Sequence, residues 1–530
     1  MNINFRAQQP QIPAQKQSDN GKNVRVRSLY ANDLHSHVDG FAKLTTEVNK
    51  FRAENKKLNR TSFVYLGGDS YVGGNEPKNK LIVKIMNIIK PDAAVNGNHE
   101  FDSKGSIGLF ERMKDANYLT LGLNLNIKPG STFEKLINMG KLAKSTVIEK
   151  DGEKFGVIGL SPSDLFMRIS QETKDNCKDF TIMNLPDTIK AVQQEVNNLE
   201  KQGVNKISLV SHMGYDADVA LAKTIDGLDV IHGAHSHDTL PGLIPKVNIF
   251  TSRRGEPVIV TQAGKNGHAY GVLDVEFDKN GKIVKAKNEI KSLENVPQSL
   301  MVNVAQNIFL GKPQVIGEIA ETVKALPEYA LQENPLCSFL CDAYKKYTGA
   351  DIIYNNGGTM RASLYKGSIT DAQIKDLMPY FNEVSVYKFS EKEIIDTLNN
   401  AIAATDKYHR TGALQVAGLQ YTIGKDHKVK DVYFVKDDGT KEKIDANAPR
   451  ADKFYTVAYN SFLFGGSEGL ANLHAPEKKI SQADKDETQM LIDYIKSFNG
   501  KPVKIANTGR IINENHQELI QENSDSKQAV

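Results

Sequence analysis

The sequence predicts an α/β protein built as two successive domains, and three observations carry that reading. Short β-branched runs alternate with helical stretches from about Val24 onward, the pattern of a sheet covered on its faces. At 530 residues, the chain exceeds what one hydrophobic core serves. A second set of helix and strand signals begins beyond a connecting stretch, 296–330. The expected order is a disordered lead-in (1–23), an N-terminal domain (24–295), the connector (296–330), a C-terminal domain (331–515) and a polar tail (516–530).

Taken in order, VRVRSLYA, SFVYLGG, AAVNG, KFGVIGLS, KISLVSH and LDVIHGA read as buried strands. Before the last two, Ile189, Val192, Val196 and Leu199 recur at helical spacing from about Asp187, and Gly203 stops that helix. PVIVTQAG reads as a further strand. GVLDVEFDKNGKIVKAKNEI reads as a hairpin turning at Lys279-Asn280-Gly281. The second domain opens with Asn334 as N-cap and Pro335 in the first turn, ahead of Leu336, Phe339, Leu340 and Tyr344. Within it Ser390 and Glu393 have capping-box spacing before Ile394, Ile395, Leu398 and Ile402.

Composition excludes several classes. Lys and Arg (67) nearly balance Asp and Glu (64), leaving a net charge of +3 with no basic run, so no nucleic-acid or polybasic membrane surface is indicated. No stretch reaches the roughly 18 consecutive apolar residues of a membrane span. The N-terminus is polar and lacks an apolar segment, which argues against a secretory signal and for a cytoplasmic protein. The odd set Cys177, Cys337 and Cys341 fits a reducing compartment. The last two, four apart on a helix, read as packed small hydrophobes.

The chemistry gathers at strand ends. Asp33 and His35 follow the first strand, Asp69 the second, Asn98 and His99 the third. His212 ends ISLVSH, and His235 and His237 follow VIHG. In an open α/β sheet, ligands collect at the carboxyl ends of strands. Nearly every such end here delivers a side chain able to bind a metal. Two divalent cations about 3.5–4 Å apart can clamp the oxygens of a phosphoryl displacement and supply an ionised water as nucleophile. They need an anionic bridge to offset their repulsion, and imidazoles and a carbonyl oxygen complete the site without overcharging it. Glycines at 67, 68, 73, 74, 97 and 233 let the backbone approach closely.

NDLHSH, GGDS, GNHEFD, SHMG and GAHSH, in that order, resemble the calcineurin-type metallophosphoesterase signature. With the second half, the chain resembles the 5′-nucleotidase / UDP-sugar hydrolase / 2′,3′-cyclic-nucleotide phosphodiesterase family from about Val24 to Asn513. The resemblance implies an αββα sandwich followed by an α/β substrate domain, and metal-dependent hydrolysis of nucleotide phosphate esters. It implies two divalent ions (Mn, Zn, Co or Fe), one held by Asp33, His35, Asp69 and His237, the other by Asp69, Asn98, His212 and His235. His99 is implied not as a ligand but as a contact to the scissile phosphate, oriented by Asp102. Some relatives have Gln at the position of His237. The family is often periplasmic or secreted, against the cytoplasmic reading of this N-terminus.

NNGGTMR, MPYFN and NSFLFGGSEGL resemble the family's substrate-binding motifs. They imply Asn356 and Arg361 as substrate contacts, Tyr380 and Phe462 as rings sandwiching a base, and Glu468 as a partner of the ribose hydroxyls. Tyr380 stands where relatives usually carry Phe, Glu468 where they carry Asp, and Pro335 near where some supply an Arg. A 2′,3′-cyclic phosphodiesterase or UDP-sugar hydrolase is the alternative within the class; a catalytically silent nucleotide-binding or adhesion protein is the alternative outside it. His37 and His232 read as structural or as supports of the ligands. His268, His409, His427, His474 and His516 read as structural or exposed, and Asp39 and Asp92 as turn or cap residues.

Overall fold

The strand Val24–Ala31 shows why the first sheet of the N-terminal unit needs a layer on each side. Leu29 and Ala31 pack against Phe41, Val48 and Leu81, whereas Tyr30 between them packs against Phe155, Val157 and Val210. Both faces of the strand are apolar and both must be covered. The computed structural model describes residues 23–515 except 103, 327–329, 409–411 and 467–468. Residues 1–22, the polar tail, His409, His516 and Glu468 lie outside the described residues.

Two sheets form. The first has seven strands: 283–292, 269–277, 24–31, 61–66, 93–95, 120–121 and 142–143, in that spatial order. From 24–31 outward the last five run parallel. The second has six, ordered 249–251, 257–261, 230–232, 207–211, 153–160 and 145–150, with a parallel centre. Tyr30, Phe63, Val157, Val210, Ile259 and Leu273 fill the space between them. Helices Val38–Lys57 and Glu76–Ile89 cover the outer face of the first sheet; Leu185–Lys201 and Tyr215–Thr224 cover that of the second. The result is the expected αββα sandwich, with parallel strand ends gathered along one edge of each sheet.

The expected helix near Asp187 runs Leu185–Lys201, its N-cap Asn184 accepting from the Asp187 amide at 2.9 Å. The hairpin at residues 279–281 also forms. Asp278 Oδ1 accepts from the amides of Asn280 and Lys282, and Gly281 takes φ 83°. A Cβ there would lie 2.0 Å from the Asn205 carbonyl oxygen. Asp92 is a turn residue with further duties: it accepts from the Val64 amide and pairs with Lys150 at 2.8 Å.

The chain divides into two units at Gly311, with residues 170–172 grouped with the second. Within 296–330 lie a helix, Leu300–Leu310, in the first unit, and a strand, Val315–Ile319, in the second. The second unit is built on a five-stranded sheet ordered 415–417, 352–355, 454–460, 383–390 and 479–486. Helices Pro335–Thr348 and Glu487–Lys496 share one core with Ile353 and Val386. On the other face, Ile352, Tyr354 and Tyr459 pack with helix Glu391–Tyr408 and a four-stranded sheet. Asn334 caps its helix, Ser390 and Glu393 exchange hydrogen bonds, and Cys337 and Cys341 are buried and free. Among the described residues, no helix is long and apolar enough to cross a membrane.

Candidate metal centre

The loops after the first two strands are zipped together by their backbones. Asp33 donates to the Gly68 carbonyl at 3.0 Å, His35 to that of Asp69 at 2.8 Å, and Ser36 to that of Ser70 at 2.9 Å. This pairing turns Asp33, His35 and Asp69 inward at the cost of left-handed backbone: φ is 53°, 47° and 49°. His235 (76°) and His237 (63°) are bent likewise. Non-glycine residues in this region are uncommon, and their concentration at one place marks strain held by surrounding structure. Gly97 permits the approach from the third strand, since a Cβ there would lie 2.1 Å from Asp69 Oδ1.

Each central carboxylate is tethered by one oxygen and presents the other. Asp33 Oδ2 accepts from Asn32 Nδ2 (2.7 Å) and the His235 amide (3.0 Å), while Asp69 Oδ1 accepts from the His99 amide (2.9 Å). Asp33 Oδ1 has no hydrogen-bond partner although the residue is fully buried. His35 Nε2 lies 3.5 Å and His212 Nε2 3.2 Å from Asp69 Oδ2. Around Asp33 Oδ1 stand His35 Nε2 at 3.9 Å, His212 Nε2 at 3.8 Å and His237 Nε2 at 3.4 Å. His212 Nδ1 faces the Gly67 carbonyl at 2.6 Å, so it carries a proton and leaves Nε2 with its lone pair in the neutral ring. His35 Nδ1 is engaged by Asn266 Oδ1 at 2.8 Å.

Four buried atoms of this cluster, Asp33 Oδ1, His35 Nε2, His212 Nε2 and His235 Nε2, have no hydrogen bond, and neither has Asn98 Oδ1 just after the third strand. Buried polar atoms are otherwise almost always paired. Lone pairs turned on one another repel unless a cation lies among them, and imidazole with oxygen donors suits a divalent transition ion. The donor set fits. Asp33, His35 and His237 offer ligand atoms all within 4.8 Å of one another, as do Asp69, His212 and His235. A third such group joins His35, Asp69 and His99.

Electrostatics agree. Burial opposes charge on Asp33 and Asp69, yet the imidazoles around them hold Asp33 down at about 2 and Asp69 well below the usual range. Burial also opposes charge on His212, but Asp69 and Asp33 outweigh it and raise the ring to about 10. The pull that draws a proton onto His212 is the pull that would draw a metal.

His99 and Asp102 stand as a pair, Nδ1 to Oδ2 at 2.7 Å, and the same Asp102 oxygen accepts from the Gly73 amide at 2.9 Å. The structure thus places Asp33, His35, Asp69, His99, Asp102, His212, His235 and His237 in one cluster, with Asn98 next to His99 in the chain. It adds others. Glu100 accepts from the amides of Asp69 (2.9 Å), Ser70 (2.6 Å) and Gly97 (2.6 Å), bracing the central loops from beneath. Burial, then Asp69, raises its carboxyl to about 7. Asp164 Oδ1 lies 3.3 Å from His235 Nε2. Glu100 stands inside GNHEFD and was there to be read, whereas Asn266 and Asp164 had no motif to announce them. His232 is structural: it is buried, bonds Thr261 Oγ1 at 2.9 Å, and lies against Tyr30 and Tyr65. His37 is the N-cap residue of helix Val38–Lys57, with no side-chain capping bond.

In the second unit, Asn356 follows strand Ile352–Asn355, its Oδ1 accepting from Thr359 Oγ1 at 3.0 Å. Arg361 donates its amide to the Leu377 carbonyl at 2.9 Å. Tyr380 is half-buried just before Phe381, and Phe462 is half-buried on the short helix Ser461–Phe464.

A layered α/β sandwich with a clustered Asp/His/Asn centre at its strand ends defines a metallophosphoesterase. Residues 26–239 match the calcineurin-like phosphoesterase family and residues 315–474 match the 5′-nucleotidase C-terminal domain. The chain belongs to the calcineurin-like phosphoesterases that carry a 5′-nucleotidase C-terminal domain, a group of hydrolases acting on phosphate esters through divalent metal ions. It is 27% identical over 487 residues to the trifunctional nucleotide phosphoesterase protein of Bacillus subtilis, covering 84% of this chain but only 32% of that one. It is 26% identical to an apyrase of Tabanus yao (93% of this chain, 95% of that one) and 26% to a probable 5′-nucleotidase of Treponema pallidum (84% and 87%). The 5′-nucleotidase precursor from Thermus thermophilus shares the fold, with TM-score 0.76, 24% identity, and coverage of 92% of this chain and 99% of that one.

Proposed function

We propose that this chain hydrolyses phosphate esters of nucleotides, as a 5′-nucleotidase-like enzyme with two metal ions. Asp33, His35, Asp69 and His237 would hold one ion, and Asp69, Asn98, His212 and His235 the other; Mn, Zn, Co and Fe all suit such ligands. Bound there, the ions would supply Lewis acidity toward the phosphoryl oxygens and a water nucleophilic at neutral pH.

The chain's own residues do the rest. Asp69 offers one oxygen to the centre while the His99 amide holds the other, so the bridge cannot swing away. His99, fixed through Nδ1 by Asp102, stabilises negative charge on the phosphate and delivers a proton to the leaving oxygen. Asn356, Arg361, Tyr380 and Phe462 hold the nucleotide, the two rings by stacking on its base and Glu468 by its ribose hydroxyls. The single observation that carries this reading is the convergence of the His35, His212 and His237 Nε2 atoms, 3.2–3.9 Å away, on the inward oxygens of the buried Asp33 and Asp69.

The test combines metal analysis with a substrate screen of nucleoside monophosphates, 2′,3′-cyclic nucleotides, nucleotide sugars and a small aryl phosphate, under several metals. About two ions per chain with preference for nucleoside monophosphates supports the proposal. Preference for the cyclic or sugar esters moves the substrate within the class. No metal and no turnover on any ester would identify a silent binding protein.

A further inference from the structure

The Glu487 carboxylate joins three segments of the second unit that are distant in sequence. Glu487 begins helix Glu487–Lys496 and is fully buried. Its Oε1 accepts from Asn382 Nδ2 at 2.8 Å, and its Oε2 accepts from Asn460 Nδ2 at 3.1 Å and from the Tyr344 hydroxyl. Asn382 lies two residues beyond Tyr380, and Asn460 caps the short helix that carries Phe462. From Tyr344 the bonds continue: Asn355 Nδ2 donates to the Tyr344 hydroxyl at 3.2 Å, Thr359 Oγ1 to Asn355 Oδ1 at 2.7 Å and to Asn356 Oδ1 at 3.0 Å. One buried acid thus ties together the segments of Tyr380, Phe462 and Asn356.

A second observation points the same way. Phe381, between Tyr380 and Asn382, has φ 56°, a conformation that a bulky residue adopts only when held. The Glu487 amide donates to the Asn382 carbonyl at 3.0 Å, and Thr488 Oγ1 to the Met378 carbonyl at 3.0 Å. The start of the last helix therefore grips this bend on both sides.

We infer that Glu487 is a positioning residue for substrate recognition: its carboxylate sets the spacing between the Tyr380 and Phe462 segments, and so the slot available to a flat base. This rests on the nucleotide reading proposed above.

Glu487→Gln tests it because the change cannot be absorbed quietly. The new amide nitrogen must face either Asn382 Nδ2 or Asn460 Nδ2, donor against donor. Neither asparagine can turn over without loss, since Asn382 Oδ1 accepts from Ser461 Oγ (3.3 Å) and Asn460 Oδ1 caps the Leu463 amide (3.0 Å). The comparison is steady-state kinetics on a nucleoside monophosphate and on a small aryl phosphate, with metal content and Tm recorded. Glu391→Gln serves as the structural control: that acid is equally buried in the same unit but bonds Arg450 and Tyr455.

The expected result for Glu487→Gln is a rise of about tenfold in KM for the nucleotide, a much smaller change for the aryl ester, and unchanged metal content. Glu391→Gln should lower Tm without altering the ratio of the two substrates. Equal losses on both substrates, or the same shift in both variants, would make Glu487 merely structural. If wild-type enzyme itself shows no preference for the nucleotide, the underlying nucleotide reading fails instead. If Glu487→Gln is too unstable to assay, Asn460→Asp, which keeps the capping oxygen but turns the donor facing Glu487 into an acceptor, must produce the same split; an unchanged nucleotide KM there overturns the inference.

Discussion

Asp69 and His99 lie side by side in the centre, yet losing each should have a different signature. On the proposed assignment, Asp69→Asn would remove the carboxylate shared by both sites and leave cation repulsion uncompensated, so it should lower metal content and turnover more than Asp33→Asn. His99→Ala should retain both metals and lower turnover by about 10²–10⁴-fold, the scale for losing a positioned acid or charge stabiliser. Asp102→Asn, which loosens the 2.7 Å hold on the ring, should cost less. Metal analysis beside turnover separates these cases. Loss of a metal in His99→Ala would move His99 among the ligands, where its proximity to His35 and Asp69 already permits it. At this scale, the sequence was informative because each candidate ligand sat in a short motif at a strand end. Asn266, 231 positions from the His35 it holds, and Asp164 beside His235 could not be read, because their partners are neighbours only in space.

The elements that matter most are the loops, which are crowded as well as bent. Gly97 has no room for a side chain between Asp69 and His212. Gly97→Ala should therefore destabilise the centre by about 1–3 kcal/mol, as overpacking does, and the loss should appear as weaker metal binding. Unchanged metal affinity in that variant would show that the loop is freer to move than its packing indicates. In the second unit, the short helix bearing Phe462 and the bend at Phe381 form the corresponding pair. A base stack is worth on the order of 1–3 kcal/mol, so Phe462→Ala should raise the nucleotide KM while leaving a small aryl ester nearly as good a substrate. Arg361→Ala should weaken nucleotide use as well. Equal losses of both substrates in the Phe462 variant would return the protein to a generic phosphoesterase. Periodicity revealed the strands of the first unit, and turn and capping residues the hairpin at residues 279–281 and the capped helices, because each is specified by residues close in sequence. The Glu487 network was not legible, since its bonds span up to 143 positions.

On the scale of the whole molecule, two units with separate cores carry the two halves of the proposed activity. All the candidate metal ligands lie in the first, so metal binding should stabilise that unit alone. A ligand at a hundred times its dissociation constant adds about 2.7 kcal/mol per site. Chelation should accordingly lower one calorimetric transition and leave a second in place; a shift of both by the same amount would mean that the units unfold as one.

Whether one carboxylate bridges two bound metals is decided by metal content per chain in the wild-type, Asp33→Asn and Asp69→Asn proteins after identical reconstitution and desalting. A bridging Asp69 should give about two ions in the wild type, at least one retained in Asp33→Asn, and fewer than one in Asp69→Asn. Full occupancy in Asp69→Asn, or no metal in the wild type, would contradict it.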